Sequence, residues 1–154
     1  MNKLDSTASW RSLISPQSAL VPGLIAGVAG GILLGSSAHG YLSLLHHIPA
    51  AVEILSKSEE QMAKIPFLKP FYFVTAVLFA PFAEEYLFRG LLYRALDREW
   101  AIAGSAAFFA IYHPALSWPP VGLLGVANAL LFKKTGRLAP AIVVHMVYNA
   151  VVLM

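Results

Sequence analysis

The chain has 154 residues, enough for one domain, of which 58% are hydrophobic and only 12% charged, with a net charge of +3. A soluble domain carries about 25% charged residues, so this composition belongs to a membrane protein, and the basic excess reads as cytoplasmic flanks rather than as a nucleic-acid surface. With no cysteine in the chain, disulfides, thiolate metal sites and cysteine nucleophiles are excluded.

Asp, Glu, Lys and Arg are absent from Ser12 to Val52, from Pro70 to Ala83, from Trp100 to Phe132 and from Leu138 to Met154. Crossing the hydrocarbon takes about 20 apolar residues, so these runs predict an all-α, polytopic transmembrane bundle of about five helices. An N-terminal segment, 1–18, precedes a first span over 19–46, expected to remain uncleaved because the apolar run is too long for a signal peptide. Gly23, Gly27, Gly31 and Gly35 form a small-residue stripe along that span, which predicts close packing within the bundle or between protomers of a homo-oligomer. A polar, amphipathic connector follows over 47–69 and reads as solvated.

The remaining core, 70–154, is expected to hold helices over 70–96, 100–117, 120–134 and 138–154. Pro119 and Pro120 are expected to divide the third run, and Thr135-Gly136 to close the fourth helix. Pro81 and Pro114 are expected to kink their helices. Lys3, Arg11, Arg94, Arg98, Lys133, Lys134 and Arg137 place the N-terminus and two loops on the cytoplasmic side of a multi-pass cell-membrane protein, although the connector's three lysines oppose that orientation.

Polar residues inside the spans carry the functional signal, because a charge at mid-bilayer costs about 2.5–3.5 kcal/mol on insertion scales and must face a bundle interior or a wet cavity. Glu84 and Glu85, His113, and His145 with Asn149 lie on three predicted helices at depths of about 12–21 Å by the helical rise. Similar depth on separate helices predicts one polar cavity. Three i,i+4 pairs share a face each: Glu85 with Arg89, Phe109 with His113, and His145 with Asn149. Adjacent Glu84 and Glu85 point about 100° apart, so one faces a site while the other pairs with Arg89.

The stretches EEYLFR (Glu84, Glu85, Arg89), FAIYH (Phe109, His113) and HMVYN (His145, Asn149) resemble the motifs EExxxR, FxxxH and HxxxN. Those motifs mark the CPBP family of intramembrane glutamic endopeptidases, which includes the type II CAAX prenyl proteases and the bacterial Abi proteins. KKTGRLAPAIVVH also looks like the lead-in to the last motif, and the resemblance covers residues 70–154. Family members typically carry more helices before this core than the single span found here.

A carboxylate within reach of a water can act as general base, and Glu84 is the candidate. His113 can orient the same water, and His145 with Asn149 can donate to the developing oxyanion. The resemblance implies the same assignment. Glu85 with Arg89 would hold their helix in place, and Phe109 would pack the bundle or form a site wall. No cofactor and no metal are expected, because HExxH is absent and the polar residues lack local ligand spacing. The expected partners are the lipid bilayer and a peptide substrate, which the resemblance makes a C-terminal tail, prenylated in a host that prenylates, or a small peptide. No nucleic-acid partner is expected. The rival reading is a membrane immunity or regulatory protein that uses the polar cavity for binding alone.

Overall fold

The computed structural model describes residues 20–154, so the N-terminal segment 1–18, with Lys3 and Arg11, lies outside the described residues. The described chain is all-helical. In order it forms α1 (Leu20–Leu45), α2 (Pro49–Ala63), α3 (Leu68–Ala95), α4 (Ala101–Ile111), α5 (Trp118–Thr135, entered through a short 3-10 turn, Ala115–Ser117) and α6 (Leu138–Leu153). Three helical stretches are long and apolar enough to cross a membrane: α1, α3 and the unit Ala115–Thr135. Helices α4 and α6 are apolar but shorter.

Glycine sets the position of α1. Gly23, Gly27, Gly31 and Gly35 are all buried, and the seam they make with α6 is the most extensive interhelical contact. A Cβ on Gly31 would lie 2.6 Å from Val147 Cβ and 2.7 Å from the Val144 carbonyl, and one on Gly35 would lie 2.7 Å from Val151 Cβ. Only a helix face without side chains lets the two backbones approach this closely. The stripe is therefore used inside the chain, the first of its two expected uses. The opposite face of α1 presents Val21, Ile25 and Leu33 outward, as lipid-facing positions should.

The connector expected to be solvated is largely helical. Pro49 starts α2 in the first turn, where its missing N–H is not needed, and Glu53–Lys57 (2.6 Å) and Glu60–Lys64 (2.8 Å) pair along its outer face. Ala51 is buried, and Leu55 is half-buried toward the bundle.

The proline expectations need two corrections. The third helix, expected to reach residue 117, ends at Ile111. Pro114 is the cause: it forces the residue before it out of the helical region, so it terminates α4 rather than kinking it. Pro119 and Pro120, expected to break the run, instead lie within the first turn of α5, where proline is tolerated. Helix α5 therefore starts two residues before the expected 120. Gly136, at φ 66°, closes it with a left-handed cap, donating its N–H to the Phe132 carbonyl at 2.7 Å.

Helix α3 is not a uniform α-helix. It widens to i→i+5 hydrogen bonding over Thr75–Phe79 and again over Tyr86–Leu92. Such turns occur frequently at functional sites. Here they bracket the two glutamates. The apolar core beside them is built from Phe88, Phe109, Leu124, Val144 and Tyr148, which brings α3, α4, α5 and α6 together.

Candidate active site

Glu84 and Glu85 leave α3 in different directions. Glu85 and Arg89 are fully buried and pair at 3.2 Å between Oε1 and Nη1. Glu84 is 17% exposed and borders a cavity of about 820 Å3. The adjacent carboxylates are thus divided between interior and cavity.

His113 lies past the end of α4, in the bend that Pro114 creates. Three hydrogen bonds fix this bend: His113 N–H to the Ala110 carbonyl (3.0 Å), the ring Nδ1 to the Phe109 carbonyl (2.8 Å), and Trp118 Nε1–H to the His113 carbonyl (2.8 Å). A carbonyl only accepts, so Nδ1 carries the proton. In a neutral ring Nε2 is then an acceptor. That Nε2 points at Glu84 Oε2, 3.7 Å away.

His145 reaches the same oxygen from α6, with its Nε2 also 3.7 Å from Glu84 Oε2. Its Nδ1 is 2.9 Å from Glu85 Oε1. The second glutamate therefore holds the ring of the second histidine while the first glutamate faces both rings. Phe109, expected as a site wall, is fully buried behind the imidazoles, with ring centroids 4.8 Å from His113 and 5.5 Å from His145 and with the Arg89 guanidinium 4.5 Å from its centroid. It packs the site from behind. The cavity is walled instead by Tyr41 and Leu42 of α1, Leu55 of α2, Thr75 and Ala76 of α3, and Pro114.

Asn149 borders the cavity but does not contact Glu84's neighbours by hydrogen bond. Its Nδ2 donates to the Ala76 carbonyl at 2.8 Å. The reason lies in α3. In the widened register the Ala80 N–H bonds back to the Thr75 carbonyl, so the Ala76 carbonyl falls to Pro81, which has no N–H. Asn149 supplies the missing donor from the neighbouring helix. Of the two N–H bonds of the Asn149 amide, expected with His145 to serve an oxyanion, one is committed to the backbone.

Asn128 of α5 was not among the expected site residues. It is fully buried and donates from Nδ2 to Glu85 Oε1 at 2.7 Å, while Arg89 Nη2 donates to the Gly125 carbonyl at 2.8 Å on the same helix. Its signal in the sequence was an amide in the middle of the charge-free run 100–132, a polar residue at membrane depth with no local reason to be there. Glu84 Oε2 is itself buried and receives no hydrogen bond from the protein, although it faces two ring nitrogens. Among the described residues, no group of three His, Asp or Glu side chains has the geometry to hold a metal ion.

The family described as type II CAAX prenyl endopeptidase Rce1-like matches residues 66–151, which include every residue of the polar centre. The chain is 32% identical over 134 residues to the UPF0177 protein YbdI of Lactococcus lactis subsp. lactis (strain IL1403), covering 84% of this chain and 73% of that protein. No solved structure matches.

Proposed function

The chain belongs to the type II CAAX prenyl endopeptidase Rce1-like family, and from that premise we propose that it is a multi-pass intramembrane endopeptidase of the glutamate type. Glu84 activates the water, and catalysis is independent of metal. The bond cleaved lies near the C-terminus of a protein, prenylated or not, or in a small peptide.

One observation carries this reading: a buried carboxylate oxygen of the cavity-lining Glu84 stands 3.7 Å from the Nε2 atoms of both His113 and His145. In neutral rings whose Nδ1 atoms are committed elsewhere, both nitrogens are acceptors. Three acceptors converging on one point suit a molecule with two protons to donate, and water is that molecule. Glu84 takes one proton as the water oxygen attacks the scissile carbonyl carbon, and His113 orients the second. The tetrahedral intermediate collapses as the C–N bond breaks, and the proton held at Glu84 passes to the leaving amine.

His145 donates to the oxyanion only in its doubly protonated form, because its Nδ1 hydrogen is engaged by Glu85. The free N–H of Asn149 is the second candidate donor. Each such donor is worth about 10²–10³ in rate. The N-terminus is assigned to the cytoplasm; the cavity is lined from the other end of α1, by Tyr41, Leu42 and Leu45, and from the α4–α5 bend, so substrate enters from the opposite side. Because the chain has no native cysteine, single cysteines placed before α1 and after α5 can report sidedness by thiol labelling.

The test is hydrolysis of prenylated and unprenylated C-terminal peptides by the full chain in proteoliposomes. Glu84→Gln is expected to lower the rate by about 10²–10⁴ with insertion unchanged, and His145→Ala to lower it as well, by loss of the ring that faces Glu84. Strong chelators should leave the wild type unaffected. Full activity in both variants would end the protease reading. Peptide binding without turnover in the wild type would favour the immunity or regulatory reading.

A further inference from the structure

We infer that Asn128 is a positioning residue for His145, acting through the Glu85 carboxylate; this rests on the catalytic reading of His145 given above. Glu85 Oε1 receives three donors from three helices: Arg89 Nη1 at 3.2 Å from α3, Asn128 Nδ2 at 2.7 Å from α5 and His145 Nδ1 at 2.9 Å from α6. The shortest of the three is the amide. The other carboxylate oxygen, Oε2, receives none, and on the partner side Arg89 Nε donates to nothing in the protein.

An arginine and a carboxylate left to themselves favour a two-pronged arrangement, with two parallel N–H···O bonds. Here the pair is held in a one-pronged contact, with the two atoms that a fork would join, Glu85 Oε2 and Arg89 Nε, both unused. Asn128 accounts for this. Its amide draws Oε1 toward α5 and keeps that oxygen on the His145 ring. The ring then carries its hydrogen on Nδ1 and turns Nε2 to Glu84. Without the amide, the carboxylate is free to rotate into the fork and withdraw Oε1 from His145.

Asn128 also leaves its own buried Oδ1 without a hydrogen bond. A leucine of similar volume removes that orphaned oxygen and leaves Glu85 Oε1 with its two other donors, Arg89 and His145. The site thus carries a local frustration that packing alone does not require, and it settles on the orientation of one imidazole.

The experiment compares the full chain with Asn128→Leu and Asn128→Ala variants in nanodiscs. It reads the 15N spectrum of labelled histidine, with the His145 signals assigned from a His145→Gln sample, and alongside it peptide hydrolysis and thermal unfolding. In at least one folded variant, His145 is expected to lose its single Nδ1–H tautomer for a mixture. The kcat is expected to fall about tenfold or more, by analogy with the outer partners that orient metal-binding histidines. KM is expected to stay within about twofold, and the unfolding midpoint to fall less in the leucine variant, which fills the amide's volume, than in the alanine variant, which leaves a cavity. An unchanged tautomer overturns the inference, whatever the rate does. So does loss of folding in both variants, which would assign Asn128 to bundle stability alone. A shifted tautomer in a protein that hydrolyses no peptide leaves Asn128 as a positioning residue and overturns the protease reading instead.

Discussion

The seam between α1 and α6 and the polar centre between α3, α5 and α6 solve opposite problems with the same helix. Along the seam, α6 meets a face from which side chains have been removed, and backbone and valine surfaces fill the gap. At the centre, α6 meets two carboxylates, a guanidinium and an amide in space that is closed to solvent on the Glu85 side. Lipid offers no hydrophobic drive for helices to associate, so small-residue packing supplies the contact and buried polar groups supply specific geometry. Helix α6 is therefore anchored on one face by close packing, so that His145 on another face is delivered to a fixed point.

That contrast can be broken at either end, and the consequences differ. The largest effect on stability is expected from Arg89→Met, which leaves the Glu85 carboxylate buried without its cation: about 3–5 kcal/mol by detergent unfolding. Glu84→Gln, one residue from Glu85, should leave the same unfolding curve in place because Glu84 borders the cavity. Equal destabilisation by the two would erase the division between them.

At the seam, Gly31→Ala places a Cβ against the Val144 carbonyl as well as Val147, so α1 must shift, at a cost of about 1–3 kcal/mol. Gly30→Ala, with nothing within 4 Å of its Cβ, should be silent. Turnover per folded molecule should fall in Gly31→Ala, because α1 walls the cavity and its seam holds the helix that carries His145, and stay unchanged in Gly30→Ala. An unchanged specific rate in Gly31→Ala would show that the seam does not position His145.

The smallest effect sharpens the role of Asn149. Asn149→Ala strips the Ala76 carbonyl of its donor, and an interhelical hydrogen bond in a membrane is worth about 0.6 kcal/mol on average. In a Pro81→Ala background the backbone supplies an N–H to that carbonyl in either helical register, so the same change should cost less. A double-mutant cycle of unfolding midpoints reads the difference; additive costs would mean that Asn149 does not serve the turn that Pro81 opens. Any rate loss that survives in the Pro81→Ala background belongs to Asn149's other N–H.

Much of this protein could be read along the chain because lipid imposes one-dimensional rules. Charge-free runs had to be helices, a glycine every fourth residue had to mark a close contact, and glutamates and histidines at membrane depth had to face an interior. Tertiary structure decided the rest. It widened α3 on both sides of Glu84 and Glu85, sent an Asn149 amide to a carbonyl that Pro81 leaves open, and brought Asn128 to Glu85. These features share a physical reason. Each depends on a hydrogen bond made or lost at a single atom, between helices or across a proline, and such a bond leaves no periodic trace in the order of residues.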